Sequence, residues 1–497
     1  MNRRKKLICN TVASLVYQFV TLICGFILPR FFLLTYGSEV NGLLASITQF
    51  LGIIGLAECG VGAVVQSSLY KPLAEHDQIE ISKIFISSER FFRKISKLLI
   101  VYTCCLAIFY PFVTNTSFDF WYTSSLICIV SISSFVQYFF SISYSLLLDA
   151  DAYGFIQLIT RTVALIVNVI ISIILLTNGL GIHLVKLISA IIFMIQPVVL
   201  RKFVNRKYNI NKKIILNEEP IKQKWNGFIQ HISAVVLGNT DIVVLTFFST
   251  LKNVSIYSIY FLVVNGVKQI INALTAGVQA LFGNMYAKKE MKNLDETFSF
   301  VEWGLHTITT FAFTCAGVLI ISFVKIYTSG INDANYYVPV FAFVMCLAQA
   351  VYCTRLPYNM MVLAAGHYKQ TQASCIIEVF LNLGVSIILV VKYGLIGVAI
   401  GTLVAMLYRT VYLAWYLSKN ILNRKIIIFI KHICVDCLTV FLIYIITKHI
   451  KINPINYFYW IKDAIVISII SAVIVFVINI FAYRKYTINI IKKILHK

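Results

Sequence analysis

The chain is poor in charged residues, and acidic residues are especially scarce. Only 13% of its 497 residues are charged, against about 25% in soluble domains. Asp and Glu together number 20 and proline 8, whereas 59% of the residues are hydrophobic. This composition disfavours a water-soluble fold of several domains and favours one helical body that has the lipid bilayer as its solvent.

Motifs for catalysis and for cofactor or metal binding are also missing from the sequence. The 12 cysteines have no framework spacing. Cys434 and Cys437 form a single CxxC within an apolar run, which is typical of small packing residues. No phosphate-binding loop occurs, and no segment between the apolar runs is long enough for a catalytic domain. We therefore expect a protein that is not an enzyme, with no catalytic residues, no metal and no cofactor.

The sequence does contain a series of fourteen long apolar runs. A helix needs about 20 mostly apolar residues to cross the hydrocarbon core of a bilayer. Hydrophobicity in these runs is continuous rather than alternating, which argues against a transmembrane β-barrel. The predicted fold is an all-α polytopic membrane protein with about 14 transmembrane helices. The predicted spans are 7–35, 40–70, 90–113, 121–147, 153–177, 182–200, 225–249, 255–283, 297–323, 337–363, 370–391, 395–418, 427–447 and 460–482.

Lysine and arginine are concentrated in alternate gaps between the spans. If the N-terminus is cytoplasmic, the cytoplasmic gaps together with the adjoining span ends (71–97 and 419–431, for example) hold 31 of the 43 basic residues. The opposite side holds 6 on the same basis, and the remaining 6 lie deeper within spans. This asymmetry follows the positive-inside rule and predicts that both termini are cytoplasmic. The net charge of +23 is then explained by loops that lie against anionic lipid headgroups, so we expect no nucleic-acid partner.

Two segments of the sequence resemble each other. Asn168 and Ser172 in the fifth span match Asn382 and Ser386 in the eleventh, although chance similarity between Ile-rich segments is the alternative. Six spans separate the copies, which predicts the same orientation for both and two pseudo-symmetric six-helix lobes followed by two C-terminal helices. The predicted domains are an N-lobe at 1–205, a basic cytoplasmic linker at 206–224, a C-lobe at 225–420, and extra spans 13 and 14 with a basic tail at 421–497.

Eleven charged residues fall inside the predicted spans, not counting the charges at the ends of spans 3, 13 and 14. A charge at bilayer depth costs about 2.5–3.5 kcal/mol, so it usually faces a cavity or an oppositely charged partner. Lys186 and Glu302 are predicted to lie close to a membrane surface, where snorkelling explains their charge, and Lys186 should tolerate alanine. The other nine are Arg30, Arg161, Lys268, Arg355, Arg409, Glu58, Asp241, Glu378 and Asp436.

The basic residues of this set are candidates for binding an anionic substrate. Arg30 and Lys268 lie one in each predicted lobe, where a pyrophosphate group is able to bridge them. The alternative is that the charges form structural salt bridges, for example Arg355 or Arg409 with Glu378. The predicted substrate-binding residues are Arg30, Lys268, Arg161, Arg355, Arg409, Asn265 and Asn272.

Three carboxylates are candidates for ion coupling, namely Asp241, Glu58 and Glu378. Asp241 lies beside an asparagine and a threonine, and the three side chains supply oxygen ligands of the hard kind that sodium favours. The alternative for Asp241 is a salt bridge with Lys268. The sequence leaves open whether sodium, protons or the membrane potential drives transport.

Many short motifs follow one another in a characteristic order along almost the whole chain. They are Pro29-Arg30, Tyr36-Gly37, Asn41-Gly42, Ser46-Ile47-Thr48-Gln49-Phe50, Glu58-Cys59-Gly60-Val61-Gly62, Leu69-Tyr70-Lys71-Pro72-Leu73, Asn239-Thr240-Asp241, Tyr257-Ser258-Ile259-Tyr260, Gly283-Asn284, Ala365-Gly366-His367-Tyr368-Lys369, Gly394-Leu395-Ile396-Gly397 and Gly401-Thr402, followed by Arg409. In this order and spacing the sequence resembles the Wzx-type polysaccharide flippases of the multidrug/oligosaccharidyl-lipid/polysaccharide exporter superfamily.

The resemblance implies two lobes around a central cavity and an alternating-access mechanism. It also implies that undecaprenyl-diphosphate-linked oligosaccharide repeat units cross the bacterial cytoplasmic membrane for capsule or cell-wall polysaccharide synthesis, with a polymerase and glycosyltransferases as protein partners. In related lipid II flippases, basic residues of spans one and eight are implicated in headgroup binding. Arg30 and Lys268 correspond to them by position, although lysine replaces the arginine that is common in span eight.

Two other functions stay open from the sequence. A cation-coupled multidrug efflux transporter of the same superfamily needs acidic cavity residues, but basic residues outnumber acidic ones within the first twelve spans. A non-transport scaffold of a polysaccharide-synthesis complex has no use for charges that face a cavity. Uptake of ethidium or of a lipid-linked oligosaccharide by reconstituted liposomes distinguishes efflux from flipping.

Overall fold

The computed structural model of the protein is built from α-helices. It describes residues 3–58, 60–114, 118–211, 214, 228–275, 277–450, 454–484 and 486–487, and these contain no β-strand. The helices are α1 Arg3–Gly52, α2 Val61–Glu75, α3 Gln78–Val113, α4 Phe120–Val136, α5 Ile142–Ala150, α6 Gly154–Thr177, α7 Ile182–Phe193, α8 Ile195–Lys207, α9 Phe228–Phe248, α10 Leu251–Leu274, α11 Val278–Ala287, α12 Met291–Tyr327, α13 Pro339–Ala364, α14 Gln372–Tyr393, α15 Leu395–Asn420, α16 Ile427–Thr447 and α17 Tyr457–Ala482.

The predicted all-α polytopic membrane fold is confirmed. Within the described residues, thirteen helical runs are long and apolar enough to cross a membrane. The first of them, Lys5–Glu58, contains the first predicted span and part of the second. Gly37 divides this run with φ 79° and ψ −179°, a left-handed conformation that favours glycine because it has no Cβ. A 3₁₀ turn at Ile53–Glu58 and α2 complete the second predicted span.

Several other predicted spans consist of two helices in succession. The fourth is α4, a π-helical turn at Gln137–Ser141, and α5. The sixth is α7 and α8, which are separated at Met194; Pro197 has no N–H to donate to the carbonyl of Phe193, which weakens the helical hydrogen bonding at this point. The eighth is α10 and α11, and Gly277 caps the start of α11 with φ 85°. The long apolar runs of the sequence located these spans but did not predict where their helices break.

The described residues pack as two units, Met1–Ser255 and Ile256–Lys497, with the boundary inside α10. In the first unit α1 packs against α6 and α9. The contact with the start of α10 is so close that a Cβ on Gly42 would lie 1.8 Å from the Leu251 carbonyl oxygen. The predicted lobe boundaries stay a prediction. Much of the basic linker at 206–224 and the end of the tail at 421–497 lie outside the described residues.

In the second unit α14 packs closely against α15 through two glycines one helical turn apart. A Cβ on Gly397 would lie 2.3 Å from the Leu389 carbonyl oxygen, and one on Gly401 would lie 2.1 Å from the Ser386 hydroxyl oxygen. Small residues at this spacing allow helix backbones to approach closely in membranes. The two C-terminal helices, α16 and α17, pack on α12 and on each other.

The two copies of the predicted internal repeat occupy corresponding helix pairs. In the first unit Ser172 of α6 is buried, with its hydroxyl 3.5 Å from that of Ser189 on α7. In the second unit Asn382 of α14 is buried and donates to the Thr402 hydroxyl of α15 at 3.1 Å. In both pairs the repeated polar residues therefore face the helix that follows in the sequence.

Candidate functional site

Three of the predicted substrate-binding cations lie in one cluster of the second unit. The Lys268 ammonium lies 4.0 Å from the centroid of the Tyr352 ring, and the Arg355 guanidinium carbon lies 4.9 Å from the same centroid. Arg355 also forms a hydrogen-bonded ion pair with Glu378. The second carboxylate oxygen of Glu378 is 3.7 Å from Nε of Arg409. Four helices, α10, α13, α14 and α15, thus bring three cations and one carboxylate together.

The two ends of this cluster differ in burial. Arg409 and Glu378 are each only 3% exposed. Arg409 also donates to the Thr371 carbonyl at 3.0 Å and to the Ser374 hydroxyl, so it links α15 to the start of α14. Lys268 is half-buried, with its ammonium on an aromatic face. The salt bridges that the sequence analysis named as the structural alternative are present, and the role of these residues in binding substrate stays a prediction.

The predicted asparagines lie on the same helix as Lys268. Asn265 and Asn272 precede and follow it by three and four residues, so the three side chains share one face of α10. Both asparagines are half-buried. This face therefore offers amide donors and acceptors beside a cation.

The predicted site residues of the first unit are dispersed over several elements. Arg30 is half-buried in α1, and Asp241 of α9 is buried, with 8% exposure. Glu58, at the end of the 3₁₀ turn, accepts a hydrogen bond from the Tyr138 hydroxyl at 2.5 Å. Arg161 is half-buried in α6. The predicted ion-coupling role of Asp241, Glu58 and Glu378 stays a prediction.

The first unit contains a cavity of about 590 Å³ whose walls include Tyr138 and Lys186. A smaller cavity of about 250 Å³ adjoins it and has Arg161 in its wall. Residues common to both walls are Ser133, Ser134, Gln137, Leu165 and Phe193. Lys186, for which the sequence analysis predicts snorkelling, lies in the wall of the larger cavity, and its depth in the membrane stays a prediction.

A buried ionic network in the second unit was missed by sequence reasoning. Glu302 is fully buried, which makes the snorkelling interpretation wrong. Its carboxylate accepts hydrogen bonds from Tyr358 at 2.6 Å and from Arg424 at 2.5 Å. A neighbouring pair joins His306 Nδ1 to Asp436 at 2.5 Å. The carboxylates were visible in the sequence, but their partners lie on other helices and loops and share no motif with them.

A second cluster lies at the ends of helices, outside the membrane-spanning segments. Asp151, between α5 and α6, accepts hydrogen bonds from Lys6 at 2.8 Å, Lys207 at 2.7 Å and Tyr208 at 2.5 Å. Burial alone would raise the pKa of the Asp151 carboxyl, but the three hydrogen bonds and the charge of Lys207 outweigh it and hold the pKa below its usual value. The cluster ties the start of α1 to the end of α8.

The fold is similar to that of several solved transporters. Lipid II flippase MurJ, in an inward closed conformation, superposes with a TM-score of 0.71 and 17% identity over 95% of this chain and 99% of that chain. An inward-facing multidrug resistance MATE family transporter of the MOP superfamily gives 0.65 and 13% identity over 83% of this chain and 98% of that chain. A MOP superfamily transporter from Pyrococcus furiosus gives 0.54 and 12% identity over 86% of this chain and 98% of that chain.

Comparison of the sequence alone finds no such relatives. No protein-family model matches the chain, and no curated protein matches it. Because these solved structures are only 12–17% identical to the chain, the similarity establishes the fold and not the substrate. The chain therefore has the fold of transporters and flippases of the MOP superfamily, which is the superfamily that its sequence motifs resemble.

Proposed function

We propose that the protein is a flippase that moves undecaprenyl-diphosphate-linked oligosaccharide repeat units across the bacterial cytoplasmic membrane by alternating access. The observation that carries the proposal is the cluster of Lys268, Arg355 and Arg409 inside a helical membrane fold shared with a lipid II flippase. Both termini are cytoplasmic in this proposal, and the product serves capsule or cell-wall polysaccharide synthesis by a polymerase and glycosyltransferases.

The chemistry of the cluster suits a diphosphate headgroup. Arginine binds phosphate through two parallel N–H donors, and lysine binds it as a compact point charge. Arg355 is the residue of the cluster that we expect to change its ion-pair partner, because a phosphate oxygen is able to replace the Glu378 carboxylate. Lys268 supplies a second charge, and Asn265 and Asn272 supply hydrogen bonds to phosphate or sugar oxygens. Arg30 and Arg161 are the proposed contacts from the first unit.

Return of the empty transporter is assigned to the carboxylates. Asp241, Glu58 and Glu378 are proposed to bind the coupling cation when the substrate is absent. Among them, Asp241 combines burial with neighbouring oxygen donors. A carboxylate at this position is a functional candidate because a charged side chain inside a membrane is costly.

Cation-coupled multidrug efflux is the second candidate function. The similarity to a MATE family transporter, with a TM-score of 0.65, is the observation that favours it. The cluster argues against it, because three cations around one carboxylate repel a cationic drug. A non-transport scaffold stays the third alternative, and an absence of transport of both cargoes would support it.

The test is headgroup-dependent flipping by purified protein in liposomes. We expect Lys268→Gln to slow flipping of a fluorescent undecaprenyl-diphosphate-linked oligosaccharide roughly ten- to a hundredfold, because a hydrogen bond to a charged group contributes about 1.5–3 kcal/mol. Lys392→Gln is the matched control, since Lys392 also lies over an aromatic ring, 5.4 Å from the Tyr393 centroid, but at the end of α14. Equal rates for both variants would contradict the assignment of Lys268.

A further inference from the structure

We propose that the larger cavity of the first unit binds a sugar acid, with Lys186 as the contact for its carboxylate. The proposal concerns a site separate from the cation cluster of the second unit. It rests on the proposed function only for the source of the ligand, which is then an acidic sugar of the repeat unit. The features that support the binding site are the cavity, the side chains that line it and the cation Lys186 in its wall.

Lys186 places a positive charge in the wall of the larger cavity. It lies in α7, inside a predicted span, and lines the cavity. Its ammonium lies 4.4 Å from the centroid of the Phe32 ring. No carboxylate among the residues that the structure describes forms an ion pair with Lys186. A lysine held inside the membrane without an acidic partner is costly, and an anionic ligand supplies the missing charge.

The wall of the larger cavity is lined in part by polar side chains. Hydroxyl and amide side chains from three helices and the π-helical turn line it, and these are the groups that recognise sugar hydroxyls by hydrogen bonding. They are Thr21, Thr48, Ser133, Ser134, Gln137 and Asn168. Apolar side chains complete the wall, as is usual for pockets that orient a ligand through a few polar groups. The volume of about 590 Å³ lies within the range of about 300–1,000 Å³ that small-ligand pockets have.

The backbone around the cavity is irregular in two places. Pro29 lines the cavity and has no N–H, so the carbonyl of Gly25, which also lines it, lacks its usual helical donor. Gln137 begins the π-helical turn between α4 and α5 and lines both cavities. Turns of this kind inside helices are frequent at functional sites. Both irregularities therefore border the larger cavity.

The single ammonium selects the class of ligand. A diphosphate is best held by arginine forks or by several cations, whereas one lysine is a point charge that suits one carboxylate. Arg161 lies in the wall of the smaller cavity, but it already interacts electrostatically with Asp149. A monosaccharide with one carboxylate, such as glucuronate, is therefore the ligand that fits the larger cavity.

The test is a binding titration with the full-length protein in nanodiscs, which needs no transport. We expect glucuronate to bind, glucose to bind at least tenfold more weakly, and Lys186→Gln to weaken glucuronate binding at least tenfold. Lys186→Arg should retain most of the affinity, and Lys392→Gln should leave it unchanged. Equal binding of the two sugars, or undiminished binding by a folded Lys186→Gln variant, would overturn the proposal.

A second variant tests the same site in case Lys186→Gln does not fold. Gln137→Glu places a carboxylate in the cavity wall and should weaken glucuronate binding at least tenfold more than it weakens glucose binding. If Lys186→Gln does not fold, this variant decides, and unchanged glucuronate affinity would reject the site.

Flipping assays then identify the source of the sugar acid. Slower flipping of acidic repeat units by Lys186→Gln, with neutral units unaffected, identifies the repeat unit itself as the ligand. Normal flipping of both kinds of unit identifies a free sugar acid. Absence of flipping by the wild-type protein would remove the proposed function, and the titration would still decide the site.

Discussion

At the scale of single residues, the protein uses its few carboxylates as partners for several donors at once. Asp151 serves two lysines and a tyrosine, and Glu302 serves a tyrosine and an arginine. These carboxylates differ in exposure, because the Asp151 side chain is 24% exposed and that of Glu302 is fully buried. Substitution should therefore have different consequences at the two sites.

Asp151 should make the stability of the protein sensitive to acid. Its pKa in the folded protein is below that of the unfolded chain, so its contribution is present above the unfolded pKa of about 3.9 and is lost as the pH falls through the folded pKa. We expect Asp151→Asn to lower the free energy of unfolding at pH 7 by about 1–2 kcal/mol and to flatten its fall between about pH 5 and pH 2. Thermal unfolding across this range measures it.

Glu75→Gln is the matched control for Asp151. Glu75 pairs with Lys71 at 3.8 Å, but the two side chains are 58% and 82% exposed. A pair this open to water contributes little, so the variant should unfold like the wild type at every pH. An Asp151→Asn variant with an unchanged pH profile would show that the cluster does not depend on the charge.

Glu302 should be more sensitive to substitution. Glu302→Gln leaves Arg424 buried without its charged partner, and breaking a buried pair from one side costs about 3–5 kcal/mol. We expect a large drop in the unfolding temperature. Lys83→Gln, which breaks a pair with Glu80 whose side chains are 40% and 38% exposed, should change stability by less than about 0.5 kcal/mol. Equal effects of the two variants would contradict the network described here.

At the scale of elements, close helix packing decides which glycines are needed. Gly401→Ala places a Cβ against Ser386 of α14, which the structure leaves no room for, and overpacking of this kind costs about 1–3 kcal/mol. Gly384→Ala is the matched control in the same helix pair, since nothing lies within 4 Å of its Cβ position. We expect Gly401→Ala to lower the unfolding temperature and Gly384→Ala to leave it unchanged or raise it.

Comparison of the predicted spans with the helices of the structure shows which features the sequence predicts. Continuous hydrophobicity located the spans, because each helix must supply its own backbone hydrogen bonds in lipid. The same signal does not contain the breaks at Gly37, Gln137 and Met194, which depend on local backbone geometry. Hydrophobicity likewise identified Arg355, Arg409 and Glu378 as charges within spans. It did not predict the cavity that Lys186 lines, because the walls of a cavity come from helices distant in the sequence.

At the scale of the whole molecule, the orientation predicted from the basic loops can be tested directly. A reporter that is active only outside the cytoplasm should be silent when fused after Lys497 and active when inserted in the loop at 111–119, because 31 of 43 basic residues lie in the gaps and adjoining span ends assigned to the cytoplasm. The reverse pattern would invert the depth of every charged residue discussed above.

The central claim is that this fold carries a lipid-linked oligosaccharide, and one comparison tests it most directly. Liposomes containing the purified protein are given either a fluorescent undecaprenyl-diphosphate-linked oligosaccharide or ethidium, and the rates of transfer are measured for the wild type and for Arg30→Ala. The account predicts transfer of the oligosaccharide and not of ethidium, with little transfer by Arg30→Ala and partial transfer by Arg30→Lys. Transfer of ethidium alone, or of neither cargo, would contradict it.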